Sequence, residues 1–348
     1  MSVKSLLLIL SVIIVYGTLS ACQLGVDRGD GDSITIFSER HYEADRMIYE
    51  KFEAETGIKV NLVRDSADPL LVRLENEGEA TIADLLVIAD AGGLVRAKER
   101  DLLQPIDSPF LESVVPEHLR DTDNYWFGLT KRARVIVYHP DRVDVSELST
   151  YEALTEPYWR GRVVTRQASN IYNQSLMAAL LEAIGEEAAS DFAEGLVANF
   201  AETPSGNDRA QANKVLQGIA DVAIMNTYYF GIMLNSGEDW QVQAANELEI
   251  FFPNQETTGT HINASAIGVT KHAKNPEAAQ QFIEFLLSEE IQEFIINNTF
   301  EYPINPSVEL PELLKSWGQF NEMTVNLEAL GKNNNRAKEI MDQVGWDN

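Results

Sequence analysis

Residues 221–231, with the sequence DVAIMNTYYFG, combine a buried strand with the turn that ends it. The segment opens with a short, mainly apolar run, which is the pattern of a strand covered on both faces. Asn226 and Gly231 bracket the two phenols, and both residue types favour a departure of the backbone from a strand. Adjacent strand residues point to opposite faces, so Tyr228 and Tyr229 can share one site only beyond the strand end. Open α/β sheets bind ligands where strands end, which makes this segment a candidate site. Two ordinary half-buried aromatic residues remain the alternative interpretation of these residues alone.

The composition sets the broad class of the protein. The chain has 348 residues, which exceeds one typical hydrophobic core and predicts two domains. With 45% hydrophobic and 23% charged residues, it has the composition of a soluble globular protein. Its net charge of −27 argues against nucleic acid as a partner, because phosphate binding requires a basic surface. The single cysteine, Cys22, excludes an internal disulfide and a cysteine-based metal site.

The N-terminal segment predicts export and lipid attachment. An apolar run over residues 6–16 follows a lysine and is too short to span a bilayer, as in a secretory signal peptide. The residues Leu19-Ser20-Ala21-Cys22 resemble the lipobox of bacterial lipoproteins, in which the cysteine carries the lipid. We therefore predict a signal peptide over residues 1–21 and a lipidated Cys22 that holds the protein at a membrane. The polar, Gly- and Asp-rich residues 22–32 predict a flexible tether.

Strands and helices alternate in the part of the chain that follows the tether. Apolar strand patterns and amphipathic helix patterns take turns, which predicts a parallel α/β lobe. The predicted strands are 33–37, 57–63 and 83–89, and the predicted helices are 45–56, 68–77 and 91–100.

The middle of the chain predicts a crossing into a second lobe. Residues 126–130 and 135–138 have strand patterns on either side of the basic residues 131–134. A strand over residues 264–269 is predicted to return to the first lobe, and residues 310–346 are predicted to be mostly helical. The predicted fold is therefore α/β with two lobes. The expected boundaries are 33–131 plus about 262–302 for the first lobe, and 132–261 plus about 303–348 for the second.

Several motifs resemble the solute-binding proteins of ABC importers. The order of elements, the double crossing between lobes and the segments KHAKNPEAA (271–279) and FIEFLLS (282–288) carry this resemblance. Within that superfamily, the chain resembles the ferric-iron-binding proteins through Arg40-His41-Tyr42, SNIYNQS (169–175) and Asn226-Thr227-Tyr228-Tyr229. The match extends from Ile34 to the C-terminus, and the paired tyrosines are its most specific part.

The resemblance implies a type II periplasmic-binding-protein fold, in which each lobe has a mainly parallel sheet flanked by helices and two strands form the hinge. It also implies an extracytoplasmic protein, not an enzyme, that delivers ferric iron to a membrane permease driven by an ATPase. We expect a monomer, located in the periplasm if the organism is Gram-negative. The metal ligands that the resemblance implies are His41, Tyr42, Tyr172, Tyr228 and Tyr229.

The chemistry of ferric iron agrees with this ligand set. Ferric iron is a hard, highly charged cation, and it prefers anionic oxygen to sulfur. A phenol has a pKa of about 10, but a bound cation strongly favours the phenolate. Four phenolates would more than neutralise the ion, and His41 would add a neutral nitrogen. Binding should therefore release protons and weaken in acid.

Arg132 and Arg134 are candidates for a separate role. Some relatives hold a synergistic anion such as carbonate beside the iron, and the guanidinium fork suits a planar oxyanion. The ligand set already looks complete without an anion. The alternative is structural: the two arginines would form salt bridges at the hinge or steady the phenolates. We expect structural roles for the remaining histidines, His118, His139, His261 and His272.

Other functions predict different features. An enzyme of a familiar kind would show a catalytic cysteine, a Gly-rich phosphate loop or an HExxH pair, and the sequence has none of these. A binding protein for a polyamine, thiamine or a sugar could use Trp126, Asp90 and Asn226 for stacking and hydrogen bonds. Colour would discriminate, because phenolate-to-iron charge transfer absorbs visible light. A protein–protein adaptor at the membrane would show no stabilisation by a small ligand.

Overall fold

A computed structural model describes residues 33–40 and 43–348. The predicted signal peptide, tether and lipidated Cys22, together with His41 and Tyr42, lie outside the described residues. The strands are β1 (Ser33–Ser38), β2 (Lys59–Arg64), β3 (Leu85–Ile88), β4 (Leu103–Gln104), β5 (Phe127–Tyr138), β6 (Val163–Val164), β7 (Val222–Asn226), β8 (Glu249–Phe251), β9 (Ile262–Thr270) and β10 (Tyr302–Pro303). The helices are α1 (Glu43–Thr56), α2 (Ala67–Glu77), α3 (Ala91–Glu99), α4 (Pro109–Val114), α5 (Ile171–Ile184), α6 (Glu186–Ala198), α7 (Asp208–Leu216), α8 (Tyr228–Leu234), α9 (Asp239–Glu247), α10 (Pro276–Leu286), α11 (Glu289–Thr299), α12 (Glu312–Ser316), α13 (Glu328–Lys332) and α14 (Asn334–Gln343).

The strands form a mixed sheet with the main order β2-β1-β3-β9-β5-β7-β6. At one end β1 pairs in parallel with β2 and β3, which confirms the parallel arrangement predicted for the first α/β segment. At the other end β6 and β7 are also parallel. The strands between them, β9 and β5, run antiparallel to their neighbours. Two parallel units are therefore joined by long antiparallel strands.

Strand β5 is continuous over Phe127–Tyr138, whereas the sequence predicted two strands separated by residues 131–134. Its first half pairs with β9, and its second half pairs with β7. The basic residues do not interrupt the strand, because Arg132 and Arg134 are both buried and paired with carboxylates. One strand thus passes through both halves of the sheet.

The flanking helices follow from local sequence signals. In α10, Pro276 occupies the first turn, where its missing N–H would have no helical partner in any case. Its buried residues recur at helical spacing, and this face packs on β1 and β9. Phe282 from α10 meets Phe52 from α1 edge to face, with ring centroids 4.9 Å apart. In α3, the Asp90 side chain accepts a hydrogen bond from the Gly92 N–H at 3.0 Å and caps the helix.

The C-terminal region is less helical than predicted. Helices α12, α13 and α14 cover parts of residues 310–346, but residues 317–327 form no helix. Gly318 has φ +89°, a left-handed conformation that ends the helical run. Backbone hydrogen bonds then join Thr260 to Asn321 and Met323, so this stretch runs beside the chain that enters β9. A long-range contact therefore overrides the local pattern.

The described residues contain no helix that is both long enough and apolar enough to cross a membrane.

Gly231 in α8 tests how tightly the helices pack. A Cβ at this position would lie 2.1 Å from Cγ of Phe300, so even alanine requires the ring to move. We expect Gly231→Ala to lower the free energy of unfolding by about 1–3 kcal/mol, the usual effect of overpacking. Urea denaturation measures this. Gly237→Ala is the matched control, since a Cβ at Gly237 meets nothing within 4 Å. Equal stability of the two variants would contradict the packing described here.

Candidate metal centre

The tyrosine pair lies where the sequence predicted it, at the transition from a strand to a helix. Strand β7 is buried along its whole length and ends at Asn226, and α8 begins at Tyr228. The backbone leaves the strand between these residues, so both phenols project from one helical turn. Their rings stack with centroids 4.2 Å apart. Tyr228 is 3% exposed, and Tyr229 is half-buried.

A third phenol reaches the same place from a distant segment. Tyr172 lies in the first turn of α5, and its hydroxyl oxygen is 3.4 Å from that of Tyr228. The structure therefore brings together Tyr172, Tyr228 and Tyr229. The positions of the other two predicted ligands, His41 and Tyr42, lie outside the described residues.

The residue before His41 is firmly anchored. Arg40 donates hydrogen bonds to Thr130 and Ser265, at 3.1 and 2.7 Å, and forms ion pairs with Asp45 and Glu301 at 3.4 Å. The chain thus leaves β1 toward His41 from a fixed, buried point.

Arg132 and Arg134 both lie close to the tyrosines but differ in their contacts. Arg132 donates to the Ala89 carbonyl and lies 3.5 Å from the Glu301 carboxylate. In Arg134, Nη1 donates to Asp208 at 2.7 Å and to the side-chain oxygen of Asn226 at 3.2 Å. Its Nη2 donates to Asn173 at 2.7 Å. These protein contacts fit the structural alternative better than the anion-binding one.

A third arginine, Arg166, was not predicted. Its guanidinium carbon lies 5.6 Å from the centroid of the Tyr172 ring, compared with 5.2 Å for Arg132 and 5.9 Å for Arg134. Arg166 also pairs with Asp208 at 2.7 Å. One sequence signal could have pointed to it, because Arg166 lies three residues before the 169–175 motif that carries Tyr172.

Burial and charge determine the protonation of the phenols. Burial raises the pKa of Tyr229 above its ordinary value, and the negative charge of Asp208 raises it further. A hydrogen bond with Tyr228 and the charge of Arg166 act in the opposite direction but are weaker. This phenol is therefore neutral without a metal, and a cation that binds through its oxygen must displace the proton.

Tyr172, Tyr228 and Tyr229 are the potential metal ligands that the structure brings together. Within residues 33–40 and 43–348, no group of three or more His, Cys, Asp or Glu side chains is placed to hold a metal ion. The phenol oxygens are hard donors of the kind that a highly charged cation prefers.

A cavity of about 690 Å³ opens beside the first turn of α5, the helix that carries Tyr172. Ile171 and Gln174, on either side of Tyr172, line it, although none of the three phenols does. Charged residues from separate elements complete the wall: Glu39, Asp68, Arg96, Arg100, Lys338, Asp342 and Asp347. Solvent in this cavity therefore reaches the first turn of α5.

The residues considered for an organic solute are engaged in internal contacts. Trp126 is fully buried in the core. Asp90 accepts hydrogen bonds from the Gly92 N–H, the Ser175 hydroxyl and the Asn263 amide. The Asn226 side-chain oxygen accepts from Arg134. These three side chains do not line the cavity as an open stacking or hydrogen-bonding surface.

Comparisons with known proteins assign the class. The fold is that of type II periplasmic binding proteins, as predicted. A structure of a Trichodesmium protein (IdiA, FutA) in complex with iron and citrate ligands superposes with a TM-score of 0.87 and 43% identity, over 90% of this chain and 99% of that one. A ferric binding protein from Campylobacter jejuni gives a TM-score of 0.85 and 42% identity, with 90% and 99% coverage.

The family description "Bacterial extracellular solute-binding protein" matches residues 80–323. Iron uptake protein A1 of Synechocystis sp. is 46% identical over 342 residues, which cover 97% of this chain and 95% of that protein. The chain therefore belongs to the bacterial extracellular solute-binding proteins. This is a family of transport components that act outside the cytoplasm, so the chain is not an enzyme. The resemblance to ferric-iron-binding members is confirmed.

His261, close to the two buried arginines, makes the stability of the fold depend on pH. Burial, followed by the charges of Arg134 and Arg132, lowers the pKa of His261 to about 3. In the unfolded chain the pKa is about 6.5, so below that pH the unfolded state takes up a proton that the native state refuses. This contribution to stability is present above pH 6.5 and is lost as the pH falls toward 3.

We expect His261→Gln to flatten the decline of unfolding free energy in acid by about 1 kcal/mol per pH unit between about pH 6 and pH 4. Chemical denaturation at several pH values measures the slope. His139→Gln, at a partly exposed histidine, is measured alongside as the control for the exchange of an imidazole for an amide. An unchanged slope for His261→Gln would show that this imidazole is protonated in the native state.

Proposed function

We propose that this protein binds ferric iron between its two lobes and delivers it to an ABC permease with its ATPase in the cytoplasmic membrane. The observation that carries the proposal is the convergence of three phenols from two distant segments of the chain. The hydroxyl oxygens of Tyr172 and Tyr228 lie 3.4 Å apart although 56 residues separate them. Neutral phenols can share one hydrogen bond at this distance. A small cation that several oxygens can coordinate explains why all three are gathered.

The proposed ligands are His41, Tyr42, Tyr172, Tyr228 and Tyr229. The first two follow Arg40, whose guanidinium is anchored beside β5 and β9. The four phenolates would supply hard oxygen donors and enough negative charge to offset a trivalent ion, and the imidazole would add a neutral nitrogen donor. A divalent ion would leave more of that charge uncompensated, so the set favours ferric iron.

The relatives support the metal. Their names describe iron uptake and ferric binding, and the Trichodesmium structure contains iron and citrate. The fold alone does not specify the solute, because a protein with fructose-6-phosphate bound shares it at 18% identity. For this chain the tyrosine cluster is the feature that points to iron rather than to an organic solute.

A synergistic anion such as carbonate is not required by the proposal. The terminal nitrogens of Arg134 donate to Asp208, Asn226 and Asn173. Arg132 is engaged with Ala89 and Glu301. We therefore assign both arginines to steadying the centre, with the phenolates as the anionic partners of the iron.

The proposal includes closure of the two lobes around the ion, with the lobe boundaries predicted from the sequence. Strands β5 and β9 would form the hinge, since β5 pairs with both parts of the sheet. Ser175 in α5 donates to Asp90, the cap of α3, at 2.5 Å, and joins elements assigned to opposite lobes. The ion favours the closed state because each lobe contributes different ligands.

Titration of ferric and ferrous iron into the metal-free protein tests the function. We expect ferric iron to produce a visible absorption band from phenolate-to-iron charge transfer, and binding to weaken in acid as the phenols keep their protons. Tyr229→Phe should lower ferric affinity by more than about 100-fold, beyond the effect of residues that only support ligands. Tyr158→Phe, at an exposed tyrosine, should match the parent. A colourless parent, or a Tyr229→Phe variant with parental affinity, would refute the assignment.

The proposed location is extracytoplasmic with a lipid anchor on Cys22. Cys22→Ser should abolish lipid attachment, because no other cysteine is present in the chain. We expect the full-length variant to leave the membrane fraction or to keep its unprocessed leader, while the purified protein binds ferric iron normally. Membrane fractionation and the mass of the processed chain measure this. Equal membrane retention of variant and parent, with the same processed mass, would contradict lipidation.

A further inference from the structure

Two charged side chains beneath the tyrosines, Arg166 and Asp208, belong to no predicted ligand set. We propose that they are positioning residues, which fix the separate tyrosine-bearing segments against each other. This inference rests on the proposed function, since its consequence is the affinity for ferric iron. It concerns residues that would not touch the ion.

Asp208 joins the tyrosine pair to the arginines. It is the first residue of α7 and is completely buried. One carboxylate oxygen accepts from Arg134 at 2.7 Å and from the backbone N–H of Asn226 at 3.1 Å. The other oxygen accepts from Arg166 at 2.7 Å. Because Asn226 is the last residue of β7, this carboxylate fixes the point at which the chain turns toward Tyr228.

Arg166 joins the same network to Tyr172. Its backbone carbonyl accepts from the side-chain amides of Asn173, at 2.6 Å, and from the Trp346 indole, at 3.0 Å. The side-chain oxygen of Asn173 accepts from Arg134 at 2.7 Å. Asn173 directly follows Tyr172, so the first turn of α5 is tied to both arginines. The Arg134 guanidinium and the Asp208 carboxylate thus connect α5 to the end of β7, and Arg166 joins them through its guanidinium at Asp208 and its backbone carbonyl at Asn173.

The ring of Tyr172 lies among three guanidiniums. Those of Arg132, Arg166 and Arg134 have their central carbons 5.2, 5.6 and 5.9 Å from its centroid. Among the described residues, none offers a hydrogen-bond acceptor to the buried Nε of any of these three arginines. The electron-rich ring is a suitable electrostatic partner for cations at these distances. Tyr172 is therefore held both through its backbone neighbour and through its ring.

This arrangement has a direct consequence for metal binding. A ligand set performs well when its donors are already held close to the productive geometry. Groups that orient ligands without contacting the metal typically contribute about 10- to 100-fold in affinity. Arg166 and Asp208 act at this level, because they fix the relative positions of Tyr172 and the pair that follows Asn226.

Arg166→Met tests the inference, since it removes the guanidinium while Asp208 keeps its pair with Arg134. We expect ferric affinity to fall by about 10- to 100-fold and the visible band to shift. Arg166→Lys restores the charge without the planar fork and should recover part of the affinity. Chelator competition gives the affinity, and the absorption spectrum reports the geometry around the iron.

Arg162→Met is the matched control. The side chains of Arg162 and Arg166 are each 20% exposed, and each pairs with an aspartate. Arg162 also lies over aromatic rings, at 4.4 Å from Tyr158 and 4.9 Å from Trp159, but away from the tyrosine cluster. This control should lose a comparable amount of stability and retain the parental affinity and absorption band.

A measurement without iron separates this inference from the proposed function. Full-length protein labelled with 3-fluorotyrosine gives fluorine NMR signals, which Tyr→Phe variants assign to Tyr172 and Tyr229. In the metal-free protein, Arg166→Met should shift these signals and Arg162→Met should not. If the parent binds no iron, the proposed function fails and the fluorine spectra still decide the positioning role. Fluorine spectra of Arg166→Met that match those of the parent overturn the positioning role, even if the affinity falls. An Arg166→Met variant that keeps the parent's affinity for ferric iron overturns it as well.

Discussion

The structure depends on the pairing of buried arginines in its central strand. Arg132 and Arg134 are carried into the protein interior by β5, where an unpaired charge would destabilise the fold by several kcal/mol. Glu301 and Asp208 supply the opposite charges. These two ion pairs fix how α7 packs against β7 and how the segment after α11 packs against β5. The tyrosines lie between these pairs, so the charge pairing that stabilises the centre of the sheet also shapes the candidate site.

Elements with strong local patterns could be predicted from the sequence. The predictions of strand β7 and of the turn at Asn226 were correct, because a mainly apolar run next to a turn-forming residue is compatible with few other structures. The continuity of β5 was missed, since basic residues at its centre look exposed until their distant partners are known. The loop over residues 317–327 was missed for a related reason. Its backbone pairs with Thr260, which is far away in the sequence.

The residues of the candidate site could likewise be predicted only in part. Family resemblance selected Tyr172, Tyr228 and Tyr229, and the structure places them together. Arg166 and Asp208 could not be found in this way, because 42 residues separate them and neither lies in a recognisable motif. Periodicity describes which face of an element is buried. It does not reveal which charged residue will pair across two elements, and that pairing creates the support beneath the phenols.

The contact between Arg132 and Glu301 also bears on when the centre can form. The two residues are 169 positions apart, so Arg132 lacks its carboxylate until nearly the whole chain has been synthesised. Contacts of such long range form late and slow the folding reaction. A chain that is secreted before its last part is complete would cross the membrane with this ion pair still open. The binding site would then be complete only on the outer side of the membrane, after the segment that contains Glu301 has crossed.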